Sequence, residues 1–412
     1  MMKISEWRPE LYLILSHTLF PPMTIDTPSA RTFVLASRAS QLAQIQTNIV
    51  LGTLQALYPF TDDEPPAPKF STSFMSTAGD KNQSQALYLL GGKALWTEEL
   101  EVALKEDRVD MLVHSLKDVP TTLPDGCVIG AILQREDPVD SLVVRKGIQW
   151  KTLDDLPVGS VVGTSSVRRV AQLKRHYPGL RFLDVVSGLE RFQFLSCTQC
   201  QSEARELVRT GILFAIERVL ILYDRNTRLA KLDDPEGPYA ALILAKAGLV
   251  RLGMGDRISS DITPPTLLHA VSQGALGVEI RSTDSEALAL CQRLTHWQTQ
   301  YRCLAERACL RVLEGGCSVP VGVSTILKEF SGNDAKPMSG ELMLTGCVTS
   351  VDGLDHVEET LRRDVESPSD AEELGVEVAR ALLKAGAKKI LDDINQDRAR
   401  RVQAAEKRDD QD

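Results

Sequence analysis

The sequence predicts an α/β fold with a largely parallel sheet, followed by a C-terminal α+β domain with a small antiparallel sheet. Three patterns predict it. Short apolar runs alternate with stretches of helical periodicity through most of the chain, the rhythm of strand–helix–strand units. The C-terminal quarter changes to three successive strand-like runs and one helix. The length, 412 residues, suits two to three domains at roughly 150 residues each.

The elements follow in order. Phe33 to Ala36 reads as a buried strand, and Ser40 caps a helix carrying Leu42, Ile45, Ile49 and Leu57 on one face. Tyr58-Pro59 ends that helix. Lys69 to Ser76 is a second strand. Thr97 to Lys105 is a helix with acidic residues at its start, where they suit the macrodipole. Met111 to His114 is a third strand, closed by Pro120. From Ser141 the rhythm repeats: strand 160–162, helix 167–175, strand 181–186, strand 240–244, a short helix to Leu252, strand 277–281, and a long helical stretch from Ser285 to Arg311. Residues 319–326, 341–349 and 356–362 read as antiparallel strands, and Ala371 to Lys384 as a helix. Residues 1–28 read as a poorly ordered extension, and 393–412 as a charged, frayed tail.

Composition excludes several classes. The net charge of −9 opposes bulk attraction to nucleic acid or an anionic membrane, and aromatics are only 5%, too few for abundant base-stacking platforms. No stretch approaches the roughly 20 apolar residues of a membrane span. The eight cysteines are scattered, which reads as reduced thiols in a cytoplasmic protein. The six histidines show no ligand spacing, so no metal is expected, and His114 reads as a packed, hydrogen-bonded residue. Low aromatic content and few long apolar helices suggest a monomer.

Three segments carry chemistry. Val113-His114-Ser115-Leu116-Lys117-Asp118-Val119-Pro120 ends a buried strand on a Lys-Asp pair, and strand C-termini in α/β sheets face the ligand crevice. A carboxylate there can stabilise a cation or move protons, although the pair alone also fits a surface ion pair. Gly163-Thr164-Ser165-Ser166-Val167-Arg168-Arg169 brings backbone N–H groups, hydroxyls and two arginines to a helix start. That suits carboxylate or phosphate binding, or simply a capped helix with solvated arginines. Leu313-Glu314-Gly315-Gly316-Cys317-Ser318-Val319-Pro320 sets a cysteine on a tight turn, where it can be a nucleophile, an attachment point or an inert packed thiol.

Together with Ser37-Arg38-Ala39-Ser40-Gln41-Leu42-Ala43, Gly91-Gly92-Lys93, Thr227-Arg228-Leu229-Ala230-Lys231-Leu232-Asp233 and Ala247-Gly248-Leu249-Val250-Arg251-Leu252-Gly253, these segments resemble the hydroxymethylbilane synthase (porphobilinogen deaminase) family from about Thr32 to about Leu391. The resemblance implies a transferase that joins four porphobilinogen molecules head to tail with loss of ammonia, giving linear hydroxymethylbilane for haem synthesis. It implies a dipyrromethane cofactor tied by a thioether to Cys317, and Asp118 as the catalytic carboxylate. It assigns Arg38, Arg168, Arg169, Arg228 and Arg251 to the acetate and propionate groups of the pyrroles, with Lys93 and Lys117 assisting and Ser40 and Ser166 adding neutral donors. Bidentate arginine suits carboxylate.

The implied architecture has two lobes like those of periplasmic binding proteins, with the cleft between them and a cofactor-bearing third domain. The boundaries expected are 29–136 plus 271–294, 137–270, and 295–392. Two departures stand out. Residues 186–224 interrupt the family pattern and replace its Arg-Gly-Asn triplet; they read as a retained intron, since Val186-Ser187 can be encoded by GTGAGT, or as a genuine loop at the cleft edge. The insertion opens an alternative reading, a catalytically impaired or non-catalytic two-lobed binder. Ser272 stands where the family usually has glycine, which costs about 1 kcal/mol if the backbone there needs a positive φ.

Overall fold

The computed structural model describes residues 31–59, 67–77, 97–185, 227–313, 319–331 and 336–409. The expectations for residues 1–28, for Lys93 and Cys317, and for the whole 186–224 interruption lie outside them.

The first sheet has the order β2-β1-β3-β10-β4, with β1 at Thr32–Arg38, β2 at Lys69–Met75, β3 at Met111–Ser115, β4 at Cys127–Ile132 and β10 at Leu276–Arg281. The second has the order β7-β6-β8-β5-β9, from β5 (Asp140–Val144), β6 (Val161–Gly163), β7 (Arg181–Leu183), β8 (Ala241–Ala245) and β9 (Ser260–Ile262). The two sheets repeat one pattern. Three strands run parallel, and the fourth is antiparallel to both its neighbours. Both sheets are therefore mixed rather than largely parallel. The cause is the connectivity: β10 re-enters the first sheet from the second lobe, and β5 enters the second sheet from the first. Each crossover strand arrives against the direction of the βα units.

The two crossover segments run side by side and hold each other. Leu133 N–H donates to Leu276 O at 3.1 Å and Glu136 N–H to Gly274 O at 3.2 Å. Ser272, at φ 61°, sits in this return segment in the left-handed region that suits glycine.

Helices cover the sheets where their caps start them. Ser40 Oγ accepts the Ala43 N–H at 3.4 Å to open α1 (Gln41–Leu57), and Ser166 does the same for Arg169 N–H at 3.5 Å to open α3 (Val167–His176). Among the described residues the lobes also carry helices α2 (Glu98–Lys105), α4 (Thr227–Asp233), α5 (Lys246–Arg251) and α6 (Ser285–Leu294). Phe33, Leu35, Val113, Val278 and Leu290 form the first lobe's core, and Leu142, Val162, Leu173 and Ile243 the second's.

The expected single helix from Ser285 to Arg311 is two, α6 and α7 (Trp297–Val312). The break falls at Thr295-His296, where extended residues let His296 N–H donate to Ile132 O at 2.9 Å. The third domain packs α7 and α8 (Pro368–Leu382) on the antiparallel sheet β11 (Val321–Glu329), β12 (Gly340–Thr349) and β13 (His356–Val365). The tail expected to fray is instead helix α9 (Lys388–Asp409). Its run of Arg, Ala, Gln, Glu and Lys favours helix and holds neither Pro nor Gly.

Candidate functional site

The site is built where β1 and β3 of the first sheet end. Strand β3 is buried from Met111 to His114, then tightens into a short 3-10 turn, Leu116–Asp118. Leu116 is fully buried, and its N–H donates to Ala275 O at 3.0 Å on the return crossover. That anchorage leaves the side chains of Lys117 and Asp118 half-buried at the sheet's edge. Arg38 is the last residue of β1, and Ser40 starts α1 beside it. Arg38, Ser40, His114 and Asp118 line one cavity, together with Gln46, Thr97 and Ser115.

Gln46 is a residue that sequence reasoning missed. It is a buried amide on α1 whose Nε2 donates to Ser115 Oγ at 2.8 Å, fixing both on the cavity wall. Its sequence signal is faint: Gln46 and Thr47 are polar positions on the buried face that also carries Val50 and Leu54. His114 is packed and hydrogen-bonded as expected, with Nε2 3.1 Å from Glu279 Oε2.

The second lobe contributes arginines in a different state. Arg168 and Arg169, in the first turn of α3, are 5% and 7% exposed. Arg168 Nη2 donates to Asp140 Oδ2 at 2.6 Å, while Arg169 reaches Asp140 Oδ1 through Nε at 3.1 Å and Nη2 at 2.7 Å. Burial alone would raise the Asp140 pKa, but the two guanidiniums outweigh it and hold the carboxyl well below the usual carboxylate range. Asp140 was not singled out from sequence, because its partners lie 28 and 29 residues further along the chain.

Charge couples the lobes. The Lys117 pKa is lowered first by desolvation of its ammonium; Arg169 and Arg168 push it further down, and Asp118 and Asp140 oppose them. Arg228, in the first turn of α4, is exposed as a residue, yet its pKa is lowered by desolvation of the head group and then by Arg169, with Asp184 and Asp118 opposing. Lys117, Asp118, Arg168, Arg169 and Arg228 therefore share one electrostatic neighbourhood. Arg251 ends α5 and donates through Nη2 to Gly274 O at 2.7 Å, on the return crossover. Ser166 stays half-buried as the α3 cap. The buried Nε atoms of Arg168 and Arg251 have no hydrogen-bond partner. Unpaired buried donors of this kind are matched to acceptor-only groups such as carboxylates. Among the described residues no cluster of His, Cys, Asp or Glu is arranged to hold a metal ion, and no helix is long and apolar enough to cross a membrane.

Comparison with known proteins identifies a family. The family described as "Porphobilinogen deaminase, dipyromethane cofactor binding domain" matches residues 33–196 and 216–289, and "Porphobilinogen deaminase, C-terminal domain" matches 300–384. The break between 196 and 216 falls inside the 186–224 interruption. Porphobilinogen deaminase of Yarrowia lipolytica is 45% identical over 381 residues, covering 91% of this chain and 97% of that protein. The protein of that name from Synechococcus elongatus is 46% identical over 366 residues, covering 89% and 96%. The one from Saccharomyces cerevisiae is 41% identical over 372 residues, covering 89% and 98%. Among solved structures, the periplasmic aliphatic sulphonate binding protein of Escherichia coli aligns at a TM-score of 0.29 and 10% identity, covering 69% of this chain and 76% of that one. This chain belongs to the porphobilinogen deaminase family.

Proposed function

We propose that this chain is a hydroxymethylbilane synthase, a transferase that condenses four porphobilinogen molecules head to tail, releases ammonia and delivers linear hydroxymethylbilane to tetrapyrrole synthesis. One observation carries the reading: a half-buried carboxylate, Asp118, shares a cavity with Arg38 and Ser40 and an electrostatic neighbourhood with Lys117, Arg169 and Arg228. An anionic pyrrole substrate needs that combination.

The residues fit a dipyrromethane, since the unpaired Nε donors of Arg168 and Arg251 suit its carboxylates. Arg38, Ser40, Lys93, Lys117, Ser166, Arg168, Arg169, Arg228 and Arg251 would hold it, with Cys317 as the point of attachment. When bound, the group supplies the free pyrrole α-carbon at which the chain is extended. Asp118 accepts the substrate's pyrrole N–H and stabilises the positive charge that develops on the ring as the C–N bond to ammonia breaks. Once the new C–C bond has formed, the same carboxylate takes the proton released from the α-carbon. The arginines neutralise two carboxylates per ring and fix the ring's orientation.

The proposal includes a monomer in the cytoplasm, divided at the boundaries expected from sequence. Cys127, Cys291, Cys303, Cys309 and Cys347 are free and buried, which suits a reducing compartment. The break in the family match at 197–215 favours a second reading, a two-lobed binder whose catalysis is impaired. Purified full-length protein given porphobilinogen separates the two. Ammonia release together with a product that oxidises to porphyrin supports the synthase. Binding without either product supports the impaired binder.

A further inference from the structure

Asp140 is the first residue of β5, 1% exposed, and its carboxylate accepts hydrogen bonds from two functional residues and one crossover residue. Its Oδ2 takes Arg168 Nη2; its Oδ1 takes Arg169 Nε and Nη2 and, at 2.9 Å, Gln273 Nε2. The far side of each guanidinium is fixed by a backbone carbonyl, Leu268 O for Arg168 Nη1 at 2.5 Å and Ile243 O for Arg169 Nη1 at 2.9 Å. Each head group is thus held from two sides, and Arg168 Nε is left unpaired.

Two cations against one carboxylate leave a net positive charge facing Lys117. Without Asp140, two adjacent buried guanidiniums would repel each other and turn away. Gln273 lies on the return crossover and also donates to Pro138 O at 2.6 Å, on the outgoing one. The carboxylate therefore touches the arginine pair and the crossover between the lobes at once.

We propose that Asp140 is a positioning residue for the carboxylate-binding site: one buried carboxylate sets the orientation of the Arg168 and Arg169 head groups and, through Gln273, registers them against the segment that returns to the first lobe. The inference rests on the synthase reading for what the arginines bind. The head-group geometry it invokes stands apart from that reading.

The test compares full-length wild type with Asp140→Glu and Asp140→Asn. Asp140→Glu keeps the charge but lengthens the side chain, so the protein folds while the arginine heads shift. The expected result is a KM for porphobilinogen raised at least tenfold, with kcat per cofactor-bearing enzyme changed less than threefold, and a smaller fraction of protein carrying added dipyrromethane mass. Wild-type KM and full cofactor mass in a folded Asp140→Glu protein overturn the proposal, as does an Asp140→Asn protein that merely melts earlier. If Asp140→Asn does not fold, the Glu variant alone decides. A third arm, 15N NMR of the arginine Nε–H groups, reads head-group order without any substrate. Resonances of Arg169 protected in wild type and lost in the Glu variant support the proposal; unchanged ones overturn it. A wild type that neither carries the added mass nor turns over porphobilinogen removes the synthase reading, while the NMR arm still decides the role of Asp140.

Discussion

The two lobes share a strand order but use their charged residues differently. In the first, Arg38, Ser40 and Asp118 stand partly open on a cavity. In the second, Arg168 and Arg169 are sunk to 5% and 7% exposure and bound to Asp140. The first lobe keeps its groups open on a cavity; the second binds its two arginines into a buried frame around Asp140. A guanidinium at a helix start is therefore not by itself an open anion site, and what distinguishes the two cases is a distant carboxylate.

The sharpest way to break the contrast is at Asp118. Asp118→Asn removes a group that is half-buried and holds no framework, so kcat on porphobilinogen is expected to fall on the order of 10²–10⁴-fold with the melting temperature unchanged. A clearly lowered melting temperature would instead give Asp118 a structural role.

The opposite behaviour is expected where the crossover meets the third domain. Glu306 is fully buried and accepts Arg135 Nη1 at 2.6 Å, Arg135 Nη2 at 2.9 Å and Ser272 N–H at 2.7 Å. Glu306→Gln leaves Arg135 buried without a counter-charge and should cost about 3–5 kcal/mol, read as an earlier urea transition. A loss under about 1 kcal/mol would mean that water reaches Arg135.

Acid should loosen the same junction in two overlapping windows. Burial pushes the His269 pKa down to about 4 from 6.5, with Glu306 opposing and Arg135 adding to the depression. The unfolded chain takes up that proton below 6.5 and the folded one does not until about 4, so stability falls as pH drops through this range. Burial would raise the Glu306 pKa, but Arg135 and His269 bring it down to about 2 from 4.5. Its contribution is present above 4.5 and is lost as pH falls toward 2. Melting temperature followed against pH should decline through both windows, and His269→Gln should flatten the upper one. A flat wild-type profile between pH 6.5 and 4 contradicts the account.

The smallest expected effect is at Ser272, held at φ 61°. Ser272→Gly should raise stability by about 1 kcal/mol, because glycine adopts this conformation without a Cβ penalty. A destabilised variant would show that the Ser272 side chain contributes more than its backbone costs.

The fold was legible wherever local pattern decides it. Ser40 and Ser166 announce their helices, and the apolar runs of β1, β3 and β8 sit where they were expected. Strand β4 was not placed: Gly130 interrupts its run, and a Cβ there would come within 2.8 Å of Ile280 and 3.0 Å of Cys291 Sγ. That requirement is set by β10 and α6, far along the chain. The site divides in the same way. Asp118 is marked by the strand-to-turn segment around it. The burial of Arg168 and Arg169 depends on Asp140, and the placement of Gln46 depends on Ser115, 69 residues away. Such partners meet only after the crossovers have formed, and no local pattern encodes them.

The central claim is that residues from both lobes assemble around a group carried by the third domain. Intact-mass spectrometry of the purified full-length protein, before and after addition of porphobilinogen, tests it most directly. The account predicts a mass increased by one dipyrromethane located at Cys317, then a ladder of further single-pyrrole additions when substrate is supplied. An unmodified chain mass that porphobilinogen leaves unchanged would contradict it.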